Sequence, residues 1–440
     1  MYTFSNRLKI GAIILMALGL VGMTIGFISA PGNVEEAKAM VAAHDDGHGE
    51  SHGEDHAVAG QETHDEASAE AHAAHDEHVY HQLSNRPWAA LYVAAFFFFM
   101  ISLGVLAFYA IQRASQAGWS PLLFRVMEGI TAYLVPGGIA VFVLLVLSVL
   151  HFNHLFPWMD PEVVAEDTII QNKAGYLDPT FFLIRAAIFL VGWIAYREIS
   201  RRLSIAQDKA DDDSNFKKNF RWSAGFLVFY LVTESIMSWD WIMSVDPHWF
   251  STLFGWYVFA SMVVSGITVI AMIAIYLKSK GYLPDVNDSH IHDLAKFMFG
   301  FSIFWTYLWF SQFMLIWYAN IPEEVTYFVQ RIEDYKLPFF GMVVMNFIFP
   351  LLVLMNIDYK RINWIVIMSG IVLLLGHYLD VFNMIMPSAV GDQWYIGFPE
   401  LGALSFFAGA FLLWVFRALT KAPLQVTRNP YIEESRQFHY

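Results

Sequence analysis

The sequence predicts an all-α integral membrane protein, and three observations predict it. Its 440 residues are 57% hydrophobic, 17% aromatic and only 15% charged, too apolar and too charge-poor for a soluble chain. Ten apolar runs each approach the about 20 residues that a helix needs to cross about 30 Å of hydrocarbon. The basic residues are divided very unevenly between alternate connecting segments, which is how membrane topology is written. The absence of cysteine excludes disulfides, iron–sulfur ligation, thioether-linked haem and cysteine zinc sites in this chain.

The spans fall near residues 8–30, 88–111, 123–150, 178–197, 221–243, 253–277, 294–319, 338–358, 362–386 and 399–420. The first follows Arg7 and Lys9 and ends in Ile28-Ser29-Ala30, a profile shared with cleaved signal peptides; it is read here as an uncleaved anchor. With the N-terminus inside, the inner segments carry twenty Lys and Arg and the outer ones five, while Arg185 falls within a span. Both termini are therefore expected in the cytoplasm and residues 31–87 on the opposite side.

Most of the formal charge of −14 comes from residues 31–87, where thirteen Asp and Glu meet only Lys38 and Arg86. Nine of the sixteen histidines lie between His44 and His81. His44, His48, His52 and His56 recur every four residues, so one helix face would align them as weak candidates for a divalent metal. Two plainer readings are a solvated acidic connector and an arm that docks on an extrinsic partner. No metal site is assigned.

Ionisable groups inside spans are expensive and are functional candidates by default. Glu128 lies roughly 7 Å from the inner edge of the third span, Glu234 near the middle of the fifth and Asp240 near its outer end. Arg185, roughly 10 Å below the outer edge of the fourth span, has a depth that suits a pair with Glu234 or Asp240. Such a pair could be purely structural, with Glu128 snorkelling to the inner headgroups. Alternatively, Glu128, Glu234, Asp240, His151 and His154 form a ladder of protonatable groups across the membrane, its gaps bridged by waters and hydroxyls such as Thr131, Tyr133, Tyr230 and Thr233. In the ninth span His377 and Asp380 are three residues apart on one face, where the carboxylate can orient the imidazole. Glu400 and Gln312 are placed to extend that patch. Asp246 and His248 sit just past the fifth span in an Asp-Pro turn. Haem b is not expected, because His377 is the one securely intramembrane histidine. Trp239, Trp241, Trp249, Trp317, Tyr318 and Trp394 read as an interfacial belt.

Two stretches carry a family resemblance: Glu234 to Thr252, ESIMSWDWIMSVDPHWFST, and Phe304 to Glu324, FWTYLWFSQFMLIWYANIPEE. They resemble the smaller polysulfide-reductase-type membrane subunit of bacterial alternative complex III, a quinol:cytochrome c oxidoreductase. Span count, the His-rich outer segment and the C-terminal tail extend the resemblance over essentially the whole chain. It implies an anchor over 1–30, an outer segment over 31–87, a first four-helix bundle over 88–243, a second over 244–386, and a last helix with a cytoplasmic tail over 387–440. It also implies a bacterial inner membrane and a sister membrane subunit. Multihaem cytochrome c subunits, an outer iron–sulfur subunit and a neighbouring terminal oxidase complete the implied assembly. Menaquinol, haem c and iron–sulfur clusters belong to that complex and no cofactor to this chain; besides these partners only the lipid bilayer is expected, and no nucleic acid. The leading expectation is a transmembrane proton path through Glu128, Glu234, Asp240, His151, His154, Arg185, His377 and Asp380. The alternative is a quinol pocket lined by Arg185, Glu234, Asp240 and His151. A metal-ion transporter is a distant third, since one His/Asp pair is too few ligands for a transported metal.

Overall fold

The computed structural model describes residues 1–45 and 64–439, and all regular structure among them is helical. The chain is an all-α, multi-pass membrane protein in which ten helices among the described residues are long and apolar enough to span a bilayer. In order, the helices are α1 (Asn6–Ile28), α2 (Val34–Asp45), α3 (His64–Ala114), α4 (Phe124–Ile130), α5 (Leu134–Val149), α6 (Pro161–Glu166), α7 (Thr168–Lys173), α8 (Pro179–Gln207) and α9 (Ser214–Trp241). There follow α10 (Phe254–Ser279), α11 (Asp288–Ala319), α12 (Pro322–Glu333), α13 (Lys336–Val343), α14 (Phe349–Leu354), α15 (Asn363–Val390), α16 (Phe398–Leu419) and α17 (Ile432–Arg436). A 3₁₀ turn over Thr131–Tyr133 joins α4 to α5, and a π turn over Val344–Ile348 joins α13 to α14, so each pair makes one span.

Local chemistry sets the boundaries. Asp178 accepts from the Phe181 amide in front of Pro179, and Asn287 with His290 forms a capping box at the start of α11. Asn320, in the left-handed region with φ 50°, ends α11. One boundary differs from expectation: the second membrane helix starts at His64 rather than near residue 88. Alanine and glutamate between residues 66 and 74 are strong helix formers, and Pro87 removes only one backbone hydrogen bond from an otherwise favourable run. The described part of residues 31–87 thus contains two helices, α2 and the start of α3, joined by the Lys38–Asp76 ion pair at 2.8 Å. His48, His52 and His56 lie outside the described residues, as does the side chain of His44.

Helices α3, α4–α5, α8 and α9 form one bundle, and α10, α11, α13–α14 and α15 form another. The two meet where α3 packs on α10 and α15, which leaves 94% of the apolar window of α3 buried. The α3–α10 crossing is close because both helices present glycine: a Cβ on Gly104 would collide with the Met262 carbonyl, and one on Gly266 would lie 2.9 Å from the Val105 nitrogen. Outside the bundles α1 pairs with α16, with Gly22 against Gly402. The chain termini share one face of the molecule, called here the terminal face. There residues 421–439 lie across the loops: Thr427 N donates to Asp208, Tyr431 to Gln116 and Ser435 to the Trp119 carbonyl.

On the opposite face, the Asp167 side chain caps α7 through the Ile169 and Ile170 amides and meets His248. The Ile170 amide and then His248 hold its carboxyl below the usual range. A depressed carboxylate contributes stability that is complete above its unfolded pKa and is lost as the pH falls through the folded value. Protection of the Ile169 and Ile170 amides in hydrogen exchange is therefore expected to be constant from neutral pH to about 5 and to fall only below about 4.

Candidate functional site

The first bundle carries three polar groupings at different depths. Nearest the terminal face, Glu128 is buried between two guanidiniums: Arg125 Nη1 at 2.7 Å and Arg113 Nη2 at 3.7 Å. Arg125 also pairs with Asp208, whose second oxygen accepts from Thr427 of the tail. Two arginines face two carboxylates, so the cluster is formally neutral, as a buried ionic group must be to persist in an apolar setting. Hydroxyls extend it inward. Tyr109 donates to Glu128 at 3.0 Å, Ser200 Oγ sits between Tyr109 Oη (3.2 Å) and Asn219 Oδ1 (2.7 Å), and the Asn219 carbonyl accepts from Ser223, which lies 2.8 Å from Tyr196 Oη. Together these groups form a chain of polar contacts over α3, α4, α8 and α9.

Beyond Ser223 the chain stops. Phe226, stacked on Tyr196, and Tyr230, which reaches Met262 sulfur, occupy the roughly 16 Å along α9 that separate Ser223 from Glu234. Glu234 is 2% exposed and its carboxylate oxygens accept only from Ser238 (3.2 Å) and Ser235 (3.5 Å). Among the described residues no cationic side chain pairs with it. The third grouping sits one and a half turns further along α9. Arg185 grips Asp240 with two hydrogen bonds, Nε to Oδ2 at 2.7 Å and Nη2 to Oδ1 at 3.1 Å. Tyr176 donates to Asp240 at 2.8 Å and lays its ring against the guanidinium. Burial, and then Asp240 beside it, push the Tyr176 phenol above its ordinary range, so it stays a donor.

Behind Tyr176 lies a cavity of about 530 Å³, lined also by Lys173, Trp239, Trp249 and Phe250. The buried indole N–H groups of Trp239 and Trp249 find no acceptor among the described residues. A larger cleft of about 790 Å³ on the same face gathers His78, His81, His154, Asp160, Asp246 and His248.

The second bundle holds a polar cluster around Asp380. Asp380 accepts from Tyr257 on one oxygen and from Trp305 Nε1 (2.8 Å) and Ser261 (2.9 Å) on the other; Ser261 lies 3.0 Å from His377 Nδ1. His377 Nδ1 is 3.4 Å from Asp380, so the i, i+3 spacing does bring the two together. The π turn in the eighth span turns Asn346 toward the same imidazole, at 3.5 Å.

Several expectations change. Glu128 does not snorkel: it is enclosed by Arg125, three residues before it, and by Arg113, two of the twenty basic residues counted in the inner segments. His151 is exposed at the turn ending α5, with φ 58°, and makes no hydrogen bond to Arg185, Glu234 or Asp240. His154 is also exposed, 3.6 Å from Asp160. Both sit at the outer end of the expected ladder, on the turn just past α5. Of the residues expected round a quinol, only Arg185 and Asp240 meet. Glu400 belongs to another site: it is held by buried Arg86 at 2.8 and 2.9 Å. Trp317 and Tyr318 are exposed, as a belt requires, but Trp241 is fully buried and Trp249 stacks on Tyr327 with centroids 3.8 Å apart. Arg331, one of the five basic residues counted in the outer segments, lies on the buried face of α12. Its signal was the amphipathic run from Pro322, which charge counting treats as mere loop. Among the described residues no group of three His, Asp or Glu is arranged to hold a metal. No protein-family model matches this chain, and a comparison with curated proteins finds no match.

Proposed function

We propose that this chain is a membrane subunit, without a redox centre of its own, of a quinol:cytochrome c oxidoreductase of the alternative complex III type, and that its first bundle conducts protons. The observation that carries the proton path is Glu234, a buried carboxyl with no cationic partner among the described residues, on the same helix as the far end of the polar chain that begins at Glu128. A paired carboxylate can be explained by packing, whereas a solitary one in a membrane span needs another reason to be there. Carboxyls and hydroxyls exchange protons as side chains and transient waters reorient, and waters entering beside Tyr230 would close the gap to Glu234. The resemblance of residues 234–252 and 304–324 to the smaller polysulfide-reductase-type subunit supports the assignment, and a sequence without cysteine suits a chain whose partners hold the haem c and iron–sulfur clusters. In this reading the terminal face is cytoplasmic, since it carries most of the Lys and Arg, and the opposite face is periplasmic.

The test is proton release per electron by the intact complex in sealed vesicles, wild type against Glu234→Gln at matched assembly. Glu128 is a poor probe, because its removal leaves buried Arg113 without a carboxylate and takes one of two from Arg125. Glu234→Gln is expected to lower the proton-to-electron ratio severalfold while quinol oxidation continues; an unchanged ratio overturns the proton path and leaves a scaffold. Loss of quinol oxidation would favour a second reading, a quinol headgroup in the cavity beside Tyr176. The two unpartnered indole N–H groups there are suited to the carbonyl oxygens of such a ring.

A further inference from the structure

Beneath α12, at the opposite-face end of the second bundle, lies a small cavity lined by Tyr257, Gln312, Tyr327, Arg331, Met342 and Asn383. Two of its walls are polar groups with unmet hydrogen-bonding capacity. Arg331, 1% exposed, spends Nε on the Asn383 carbonyl (2.9 Å) and Nη1 on the Tyr327 carbonyl (2.8 Å), with its guanidinium 3.3 Å over the Tyr327 ring; its Nη2 finds no acceptor among the described residues. Asn383, 2% exposed, likewise has an Oδ1 without a donor among the described residues. A buried donor and a buried acceptor left open each carry a penalty of about 1–3 kcal/mol. Both line a space of about 10 Å³, the size of one water molecule.

We propose that this cavity holds a single water, accepting from Arg331 Nη2 and donating to Asn383 Oδ1, and that this water links the Tyr257–Asp380–His377 chain to the opposite face. The chemistry of the walls selects water over a halide, because an anion would satisfy Arg331 but has no hydrogen to give Asn383. Tyr257 lines the cavity and donates to Asp380, so the water completes a relay. In one direction the water gives a proton to Tyr257 Oη as Tyr257 passes its own to Asp380. The hydroxide left behind lies against the Arg331 guanidinium until a proton from the opposite face restores it. Onward, Ser261 connects Asp380 to His377. The hydration site stands independently of the function proposed above; the use of the relay for transmembrane proton movement rests on it.

Two measurements on the full-length protein test this. A structure at a resolution that reveals waters should show one solvent peak within hydrogen-bond distance of Arg331 Nη2 and Asn383 Oδ1; a cavity without density, or a halide in it, overturns the proposal. Hydrogen–deuterium exchange of the Tyr257–Asp380 pair, followed by infrared difference spectroscopy and assigned with Tyr257→Phe and Asp380→Asn, tests the relay. Asn383→Leu, which fills the cavity, is expected to slow that exchange at least tenfold, with no dependence on chloride against nitrate. Gln312→Leu fills it from another helix and serves if Asn383→Leu fails to fold. Unaltered exchange in a folded plugged variant overturns the relay. Neither readout involves Glu234 or electron transfer, so failure here is distinct from failure of the first-bundle path.

Discussion

Arg185→Met is expected to lower stability by about 3–5 kcal/mol, enough to prevent accumulation of folded protein, because it leaves Asp240 buried and ionic with its principal partner gone. Asp240 is fully buried, and Arg185 supplies two of its hydrogen bonds. The remaining donor, Tyr176, is neutral and cannot offset the charge. Replacing both partners tests the cause. The double variant Arg185→Met/Asp240→Leu removes the stranded charge along with the pair, and buried ion pairs exchanged for apolar residues of similar size are often neutral in stability. It should recover most of the loss, read as the thermal midpoint of the purified protein in detergent. If the double variant is as unstable as Arg185→Met, the cause is lost packing of the arginine stem and its rings rather than the unpaired carboxylate.

That pair also shows how far sequence reaches. Matching depths in antiparallel spans brought Arg185 within range of two acids, but the choice between Glu234 and Asp240 depends on which face of α9 turns toward α8, and a helix apolar on most sides does not disclose it. The ten spans were legible because about 20 consecutive apolar residues are a requirement of bilayer thickness and not of any particular packing. Their grouping was not, since every span offers similar surfaces. Glu128 illustrates a different gap. Its spacing from Arg125 is the i, i+3 spacing of a helical pair, yet counting Arg125 toward the cytoplasmic flank hid the pairing. Trp241 and Trp249 were misplaced because tryptophan suits both an interface and a packed interior, and only neighbours decide. His377 and Asp380 came together as their spacing required, whereas the Tyr257, Ser261, Trp305 and Asn346 that hold them come from three other spans.

The junction between the bundles should be the least tolerant apolar position in the chain. Gly104→Leu is expected to abolish a stable fold, a loss above the about 1–3 kcal/mol usual for overpacking, because the added carbon meets the Met262 carbonyl of α10 and not a movable side chain. Relief would require α3 and α10 to separate, and α3 is also the surface on which α15 and α16 pack. The displacement would therefore open both bundles at once. Gly300→Leu is the control: it adds the same side chain to a glycine of α11 that has nothing within 4 Å, so the leucine enters open space and should leave the thermal midpoint within about 1 °C. Monodispersity of the two variants after detergent extraction separates the cases. A well-folded Gly104→Leu would mean that α3 and α10 can part without loss, and the two bundles would then be independent units rather than halves of one core.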